Sequence, residues 1–154
     1  MKRDYLDRLQ ELALASSSFD AALALTLEEF RAESGTIHWL EGGVLKLRAC
    51  SAGMPAPVLA MIQVIPVGKG MAGLAAERRA PVTACNLQTD QSGDVRPGAR
   101  ATGLQGSIVV PMLRGERVIG TLGIANRGER TFHADEVELL LAAGRTIAAW
   151  DEGA

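Results

Sequence analysis

The sequence predicts an α+β domain, with an antiparallel sheet set between helical segments at the two chain ends. Three observations predict it. Apolar residues recur at helical spacing near both termini. Between those segments the period changes to two, punctuated by glycine and proline. The stretch 86–105 has no period and is rich in turn residues. The chain has 154 residues, enough for one domain with a substantial core.

Residues 4–15 read as a helix. Tyr5, Leu6, Leu9, Leu12 and Ala13 form a narrow apolar stripe, with Asp4, Asp7, Arg8 and Glu11 opposite. Such a stripe packs either on the domain or on a second copy. Residues 1–17 are therefore taken as an N-terminal helix and a candidate dimer contact, and 18–154 as the domain proper. Ser16-Ser17-Ser18 breaks the first helix and can cap the next, which runs over 19–33. Phe19, Leu23, Leu27 and Phe30 step along its core face, and Gly35 is read as its C-terminal cap.

Thr36–Leu40 is a strand, with Ile37 and Trp39 on one face and His38 on the other. Gly42-Gly43 signals a tight hairpin into Val44–Cys50, where Leu45, Leu47 and Ala49 are expected inward and Lys46 and Arg48 outward. Residues 56–62 can make two helical turns, Pro57 being tolerated in the first. A run from Val64 to Val67 leads into Gly68, Gly70 and Gly73. A short helix follows, stopped at Pro81, and Val82–Ala84 is a brief strand.

Residues 106–113 and 118–125 form strands joined by a turn at Arg114–Arg117. Pro111 belongs near a sheet edge or a bulge, and Gly120 and Gly123 imply that something packs closely there. The last helix starts near His133. Its stripe is Val137, Leu140, Leu141, Gly144 and Ala148, with Ile147 at the border, and Phe132 and Val137 are spaced for a hydrophobic staple.

Composition removes several function classes. The formal charge is −2, from 16 basic and 18 acidic residues, so no basic surface for nucleic acid is indicated. No apolar run approaches the roughly 20 residues of a membrane span. Asp4, Asp7 and Glu11 interrupt any signal-peptide core, and the protein is expected to be cytoplasmic. Cys50 and Cys85 lie far apart, with no second Cys or His at zinc-like spacing, so no metal or cofactor is expected.

The glycine turn is the main candidate site. Amides at a helix start, with Lys69 beside them, favour nitrate, phosphate or a carboxylate. The competing reading is that the glycines simply permit a tight strand-to-helix turn. The spacing of a P-loop is absent. Arg96 and Arg100 flank Pro97-Gly98 on the long loop. Folded inward they would complete an anion site, and folded outward they are solvated charge. The long loop itself reads as a lid. Trp39 offers an indole N–H to a pocket or else packs in the core. His38 as a haem or metal ligand lacks a partner histidine. For catalysis, Cys85 with Asp94 is the one weak pairing.

In order and spacing, several motifs together resemble the GAF domain family over roughly residues 18–150. They are Ile65–Gly73, Pro81-Val82, Ile108–Met112, Val118–Leu122 and Phe132–Glu136. The resemblance implies a central antiparallel sheet of five to six strands, a GAF/PAS-like arrangement. Terminal helices would pack on one face and a ligand pocket would lie on the other, under the long loop. It also implies a sensory role and dimerisation through the terminal helices. Stand-alone nitrate receptors that modulate a sensor kinase are similar in size and layout.

Two alternatives come with the family. In what resembles the first cysteine position of the free methionine sulfoxide reductases this chain has Met71, and Ala101–Ile108 carries no Cys, which argues against that thiol-dependent enzyme. No Cys-His pair occurs for bilin attachment. Asn126-Arg127, Phe132 and Asp135-Glu136 are similar to the motif of cyclic-nucleotide-binding GAF modules. Arg stands in place of Lys, and the Phe-to-Asp spacing is one residue short. Asn126 ending a strand and the two acids favouring a helix start is the plainer reading.

The sequence is thus read as a stand-alone cytoplasmic sensor rather than an enzyme. It is expected to be a homodimer, to bind a small polar or anionic ligand and to signal to a partner such as a sensor kinase. The ligand-binding residues expected are Trp39, Val67, Lys69, Gly70, Met71, Ala72, Gly73, Arg96, Pro97 and Arg100.

Overall fold

A computed structural model describes residues 2–14, 19–95 and 102–150. The helices are α1 (Lys2–Leu14), α2 (Phe19–Phe30), α3 (Ala56–Ile62), α4 (Gly70–Arg78) and α5 (Ala134–Ala148). The strands are β1 (Ser34–Glu41), β2 (Val44–Cys50), β3 (Val64–Pro66), β4 (Val82–Ala84), β5 (Gly106–Arg114) and β6 (Arg117–Asn126). They form one antiparallel sheet in the order β3-β2-β1-β6-β5-β4. The α+β expectation, with terminal helices on one face, is what the chain adopts.

Alternation sorts the strands into two faces. Ile37 and Trp39 of β1, Ile108, Val110 and Met112 of β5, and Leu122 and Ile124 of β6 point to the helical layer. There they meet Leu140 and Ile147 of α5, Phe30 of α2, and Tyr5 and Leu9 of α1. Tyr5 and Leu9 are 1% and 0% exposed, so the α1 stripe packs into this chain's own core. The Tyr5 hydroxyl meets Thr26 Oγ1 at 2.7 Å, which gives the buried phenol its partner.

Some local expectations are corrected. Gly35 does not cap α2. The helix ends at Phe30, and Arg31 takes the left-handed conformation at φ 52°. Ala32 N donates to Leu27 O and Arg31 N to Glu28 O, the paired bonds of a Schellman ending. Gly35 instead lies inside β1. Ala49 does not share a face with Leu45. A register shift opposite Ile37/His38 leaves Arg48 as the extra residue, so Ala49 joins the helix-side core while Leu45 packs with Ile65 and Ala76 on the other face.

Other details match. Gly42 and Gly43 turn the β1–β2 hairpin with φ of 59° and 82°. Pro111 sits beyond the last residue of β5 that β4 pairs, Val109, and next to a register shift at Met112/Leu113. A Cβ at Gly123 would stand 3.1 Å from Val109 Cγ2. α5 is capped by His133, whose amide donates to Glu136 Oε1 at 3.0 Å. Among the described residues no helix is long and apolar enough to cross a membrane.

Candidate functional site

The sheet face turned away from α1, α2 and α5 is covered by α3, α4 and the ends of the loop 86–105. Between them lies a cavity of about 180 Å³. That is space for several waters or one small organic molecule. Its floor is Thr36 and His38 of β1 with Ser107 and Val109 of β5. The first wall is Met54 with Val58, Met61 and Ile62 of α3. The second is Lys69, Gly70, Met71 and Ala72, where α4 begins. Leu87 and Thr102, from the two ends of the loop, close it.

The glycine turn builds the second wall. Gly68 N donates to Gly73 O at 2.8 Å, Lys69 N to Pro66 O at 3.2 Å, and Gly73 N to Lys69 O at 3.1 Å. Gly73 must be glycine, since a Cβ there would lie 2.5 Å from Pro66 O. These bonds take up three amides of the turn. The amides of Gly70, Met71 and Ala72 find no acceptor among the described residues, and Lys69 supplies no side-chain cap. The start of α4, with its open donors, thus forms part of the cavity wall, beside Lys69.

His38 is the most deeply buried of the polar residues of the floor, which also include Thr36 and Ser107. It is 1% exposed, and its Nε2 lies 2.9 Å from the carbonyl oxygen of Ile62. Burial pushes the imidazole below its ordinary value, only partly opposed by that bond, so the ring is neutral at physiological pH. Apart from these groups and the side chains of Thr36, Ser107 and Thr102, the lining among the described residues is aliphatic and thioether. No cluster of His, Cys, Asp or Glu able to hold a metal occurs among the described residues.

The sequence-predicted residues divide. Lys69, Gly70, Met71 and Ala72 line the cavity. Gly73 supports the turn from behind. Val67 is 38% exposed and does not line it. Arg96, Pro97 and Arg100 fall outside the described residues. Trp39 is corrected: strand alternation sends it to the opposite face, where Phe19 packs 5.3 Å from its ring and 5.4 Å from Trp150. Trp39 borders a different concavity, of about 580 Å³, between the hairpin turns and the end of α5. That space runs to Trp150, the last described residue, and Arg114 beside it already donates to the Ala148 and Trp150 carbonyls.

Sequence reasoning missed Thr36, Ser107 and Val109, the α3 side chains, Met54, Ile65, Leu87 and Thr102, and weighed His38 only as a metal ligand. For the strand residues Thr36, His38, Ser107 and Val109 the signal was alternation against Ile37, Ile108 and Val110, whose face the terminal helices cover.

Both alternative chemistries have other uses for their residues. Asn126 donates to Arg31 O at 2.9 Å and accepts from Arg130 at 2.7 Å, and Arg130 also donates to Glu136 at 2.6 Å. This cluster joins α2, β6 and α5 and does not line the cavity. Asp94 pairs with Arg78 at 3.0 Å rather than with Cys85. Cys85 is exposed, and neither cysteine lines the cavity.

Residues 16–149 match the family model described as a GAF domain. No curated protein matches the chain. Among solved structures, the GAF domain of an Acinetobacter phosphoenolpyruvate-protein phosphotransferase superposes with a TM-score of 0.76 at 18% identity, over 96% of this chain and 90% of that one. The corresponding domain from Coxiella burnetii gives 0.75 at 19% identity, over 97% and 91%. The free methionine-R-sulfoxide reductase from Neisseria meningitidis, in complex with its substrate, gives 0.75 at 18% identity, over 96% and 86%. At such identities the likeness shows the fold alone. The last of these still corrects the expectation that the chain is no enzyme. Free methionine-R-sulfoxide reductases are enzymes and carry this fold over nearly its whole length, so the fold does not separate a sensor from a catalyst.

Proposed function

This chain belongs to the GAF domain family, and from that premise we propose that its cavity receives a small organic acid, whose binding the protein reports to a partner. The observation that carries this reading is the uncapped start of α4 in the cavity wall, with the amides of Gly70, Met71 and Ala72 open and Lys69 beside them. Those groups suit a carboxylate or a similar oxyanion.

The rest of the lining selects what the acid is attached to. Val58, Ile62, Ile65, Val109 and the thioethers of Met54 and Met71 offer nothing to a hydrated inorganic ion. They favour an apolar body, and methionine side chains adapt readily to its shape. A carboxylate with a short aliphatic chain therefore matches the cavity better than bare nitrate. Ligand would favour the arrangement in which α3 and the loop 86–105 close on the cavity, a shift of population between two states. The partner reading that surface is proposed to be a signalling protein such as a kinase, with the terminal helices as the site of self-association.

Thermal denaturation with a panel of short carboxylic acids, nitrate, phosphate and cyclic nucleotides tests the proposal. An acid that fills the cavity stabilises the fold by about 2.7 kcal/mol at a hundred times its Kd. A panel in which no carboxylate raises the midpoint, or in which cyclic nucleotides alone do, overturns it.

A further inference from the structure

The cavity floor comes from the outer two of three adjacent strands. β1 gives Thr36 and His38, and β5 gives Ser107 and Val109. β6 runs between them and gives none of the lining among the described residues. Leu122 and Ile124 point to the helical layer, so alternation turns Thr121, Gly123 and Ala125 of β6 to the cavity side. Gly123 pairs with Thr36 on one flank and with Val109 on the other. Both of these lining side chains close over the place where its own would be. A Cβ there would stand 3.1 Å from Val109 Cγ2 and 3.5 Å from Thr36 Oγ1.

The backbone does not require a glycine at this position. Gly123 has no positive φ. The first backbone atom its Cβ would meet is Ile108 O at 3.7 Å, an ordinary contact. Gly120 on the same strand differs, since a Cβ there would lie 2.1 Å from His38 O. A glycine inside a strand also weakens it relative to alanine. What the missing side chain provides is depth. Val82 stands against the other flank of Val109, and Ala75 packs on it from α4. A methyl at 123 therefore displaces Val109 towards the cavity, the side left open.

We infer that Gly123 sets the depth of this cavity, and that the ligand is an aliphatic monocarboxylic acid selected by the length of its chain, which lies over Gly123 between Thr36 and Val109. The inference rests on the acid-binding reading of α4, which accounts for the carboxylate alone. The lining argues against a second polar end. Ser107 Oγ donates to Ile124 O at 3.3 Å, and Thr102 Oγ1 accepts from the Leu104 amide at 3.1 Å. Thr36 adds one neutral hydroxyl, and Lys69 is the one cation of the lining among the described residues. A second carboxylate would be buried there without a countercharge of its own.

Calorimetric titration with the unbranched acids from acetate to octanoate, with glutarate and with 4-hydroxybutanoate tests this. In the unaltered protein, affinity is expected to rise about fourfold per added methylene, the worth of one buried CH₂. It should then fall beyond the longest acid that fits. Glutarate and 4-hydroxybutanoate are expected to bind at least about tenfold weaker than pentanoate, which each resembles in chain length. In Gly123→Ala the cut-off is expected to move down by about one or two carbons, while the shortest acid that binds keeps its affinity within about threefold. Val109→Ala added to Gly123→Ala is expected to restore the cut-off, because it removes the side chain that the new methyl pushes. Val109→Ile enters the same space from the lining itself and is expected to shorten the cut-off too, so the test survives if Gly123→Ala fails to fold. Melts without ligand identify such a failure.

Affinity indifferent to chain length overturns the inference, as does a cut-off that neither Gly123→Ala nor Val109→Ile moves. An equal loss for every acid in a folded Gly123→Ala protein overturns it, and so does glutarate or 4-hydroxybutanoate binding as tightly as pentanoate. Each of these outcomes leaves the acid-binding reading intact, since acids still bind. If none of the acids binds the unaltered protein, the reading of α4 fails first and this inference with it.

Discussion

The Nε2 atom of His38 lies 2.9 Å from the carbonyl oxygen of Ile62. One hydrogen bond thus ties the floor of the cavity, on β1, to the end of the helix that walls it, α3. The bond exists only while the imidazole keeps its Nε2 proton, and burial disfavours a second proton on Nδ1.

Stability is therefore expected to depend on pH through His38. The folded-state value is lowered, so the unfolded chain binds the proton more readily. Stability from this residue is complete above the unfolded value of about 6.5 and is lost as pH falls below it, towards the lower folded value. Urea unfolding between pH 7.5 and 5 should show the decline, and His38→Gln should flatten it. Glu136 acts in a separate window. The His133 amide, and then Arg130, hold its carboxyl below the usual range, so its contribution is present above about 4.3 and declines only in more acidic solution. An unchanged slope in His38→Gln would show that another group titrates.

Met71→Glu is expected to abolish acid binding while leaving the fold intact. The new carboxylate would sit in the first turn of α4, where the helix dipole favours it. It would compete for the same amides and repel the ligand, so affinity for a bound acid should fall at least about tenfold, the equivalent of about 1.4 kcal/mol. Calorimetry beside a thermal melt separates the two effects. Retained affinity in a folded Met71→Glu protein would place the acid elsewhere.

Gly73→Ala should destabilise strongly, whereas Gly128→Ala should not. The first would place a Cβ 2.5 Å from Pro66 O, a backbone atom held by the Lys69 amide, while the second has nothing within 4 Å. A loss of more than about 2 kcal/mol is expected for the first, against a change within about 0.5 kcal/mol for the second. Chemical denaturation of both decides it, and similar values would mean that the turn can relax.

Trp39→Ala should cost about 3–5 kcal/mol, the range for truncating a buried aromatic, because the ring packs against Phe19 in the helix-side core. Trp39→Phe should retain most of that stability and leave acid affinity unchanged. Weakened binding by Trp39→Phe, with stability kept, would return Trp39 to the binding site.

Arg130→Met is expected to destabilise by about 2–4 kcal/mol without affecting acid affinity. Its guanidinium joins Phe30 O, Asn126 and Glu136, and removing it leaves those partly buried acceptors unpaired. The melt and the titration are again read together.

Much of this architecture was legible in the residues. The change from helical to alternating spacing placed nearly every element. Gly42-Gly43 marked the hairpin, and Gly68–Gly73 marked the strand-to-helix turn that lines the cavity. Strand alternation even separated Trp39 from His38. It could not say which of them faces a ligand, because both faces of β1 are buried and periodicity carries no label for what lies beyond each face. That was decided when α1, α2 and α5 covered the Trp39 side and left α3 and α4 over His38. Gly35 misled for a related reason: a glycine near a helix end suits a cap, but Arg31 accepted the left-handed turn first. By itself the sequence determined the order of elements and the position of the turn. The tertiary structure decided which side chains share the cavity, and that the imidazole there keeps one nitrogen bonded and the other unpaired, since both depend on contacts between residues distant in the chain.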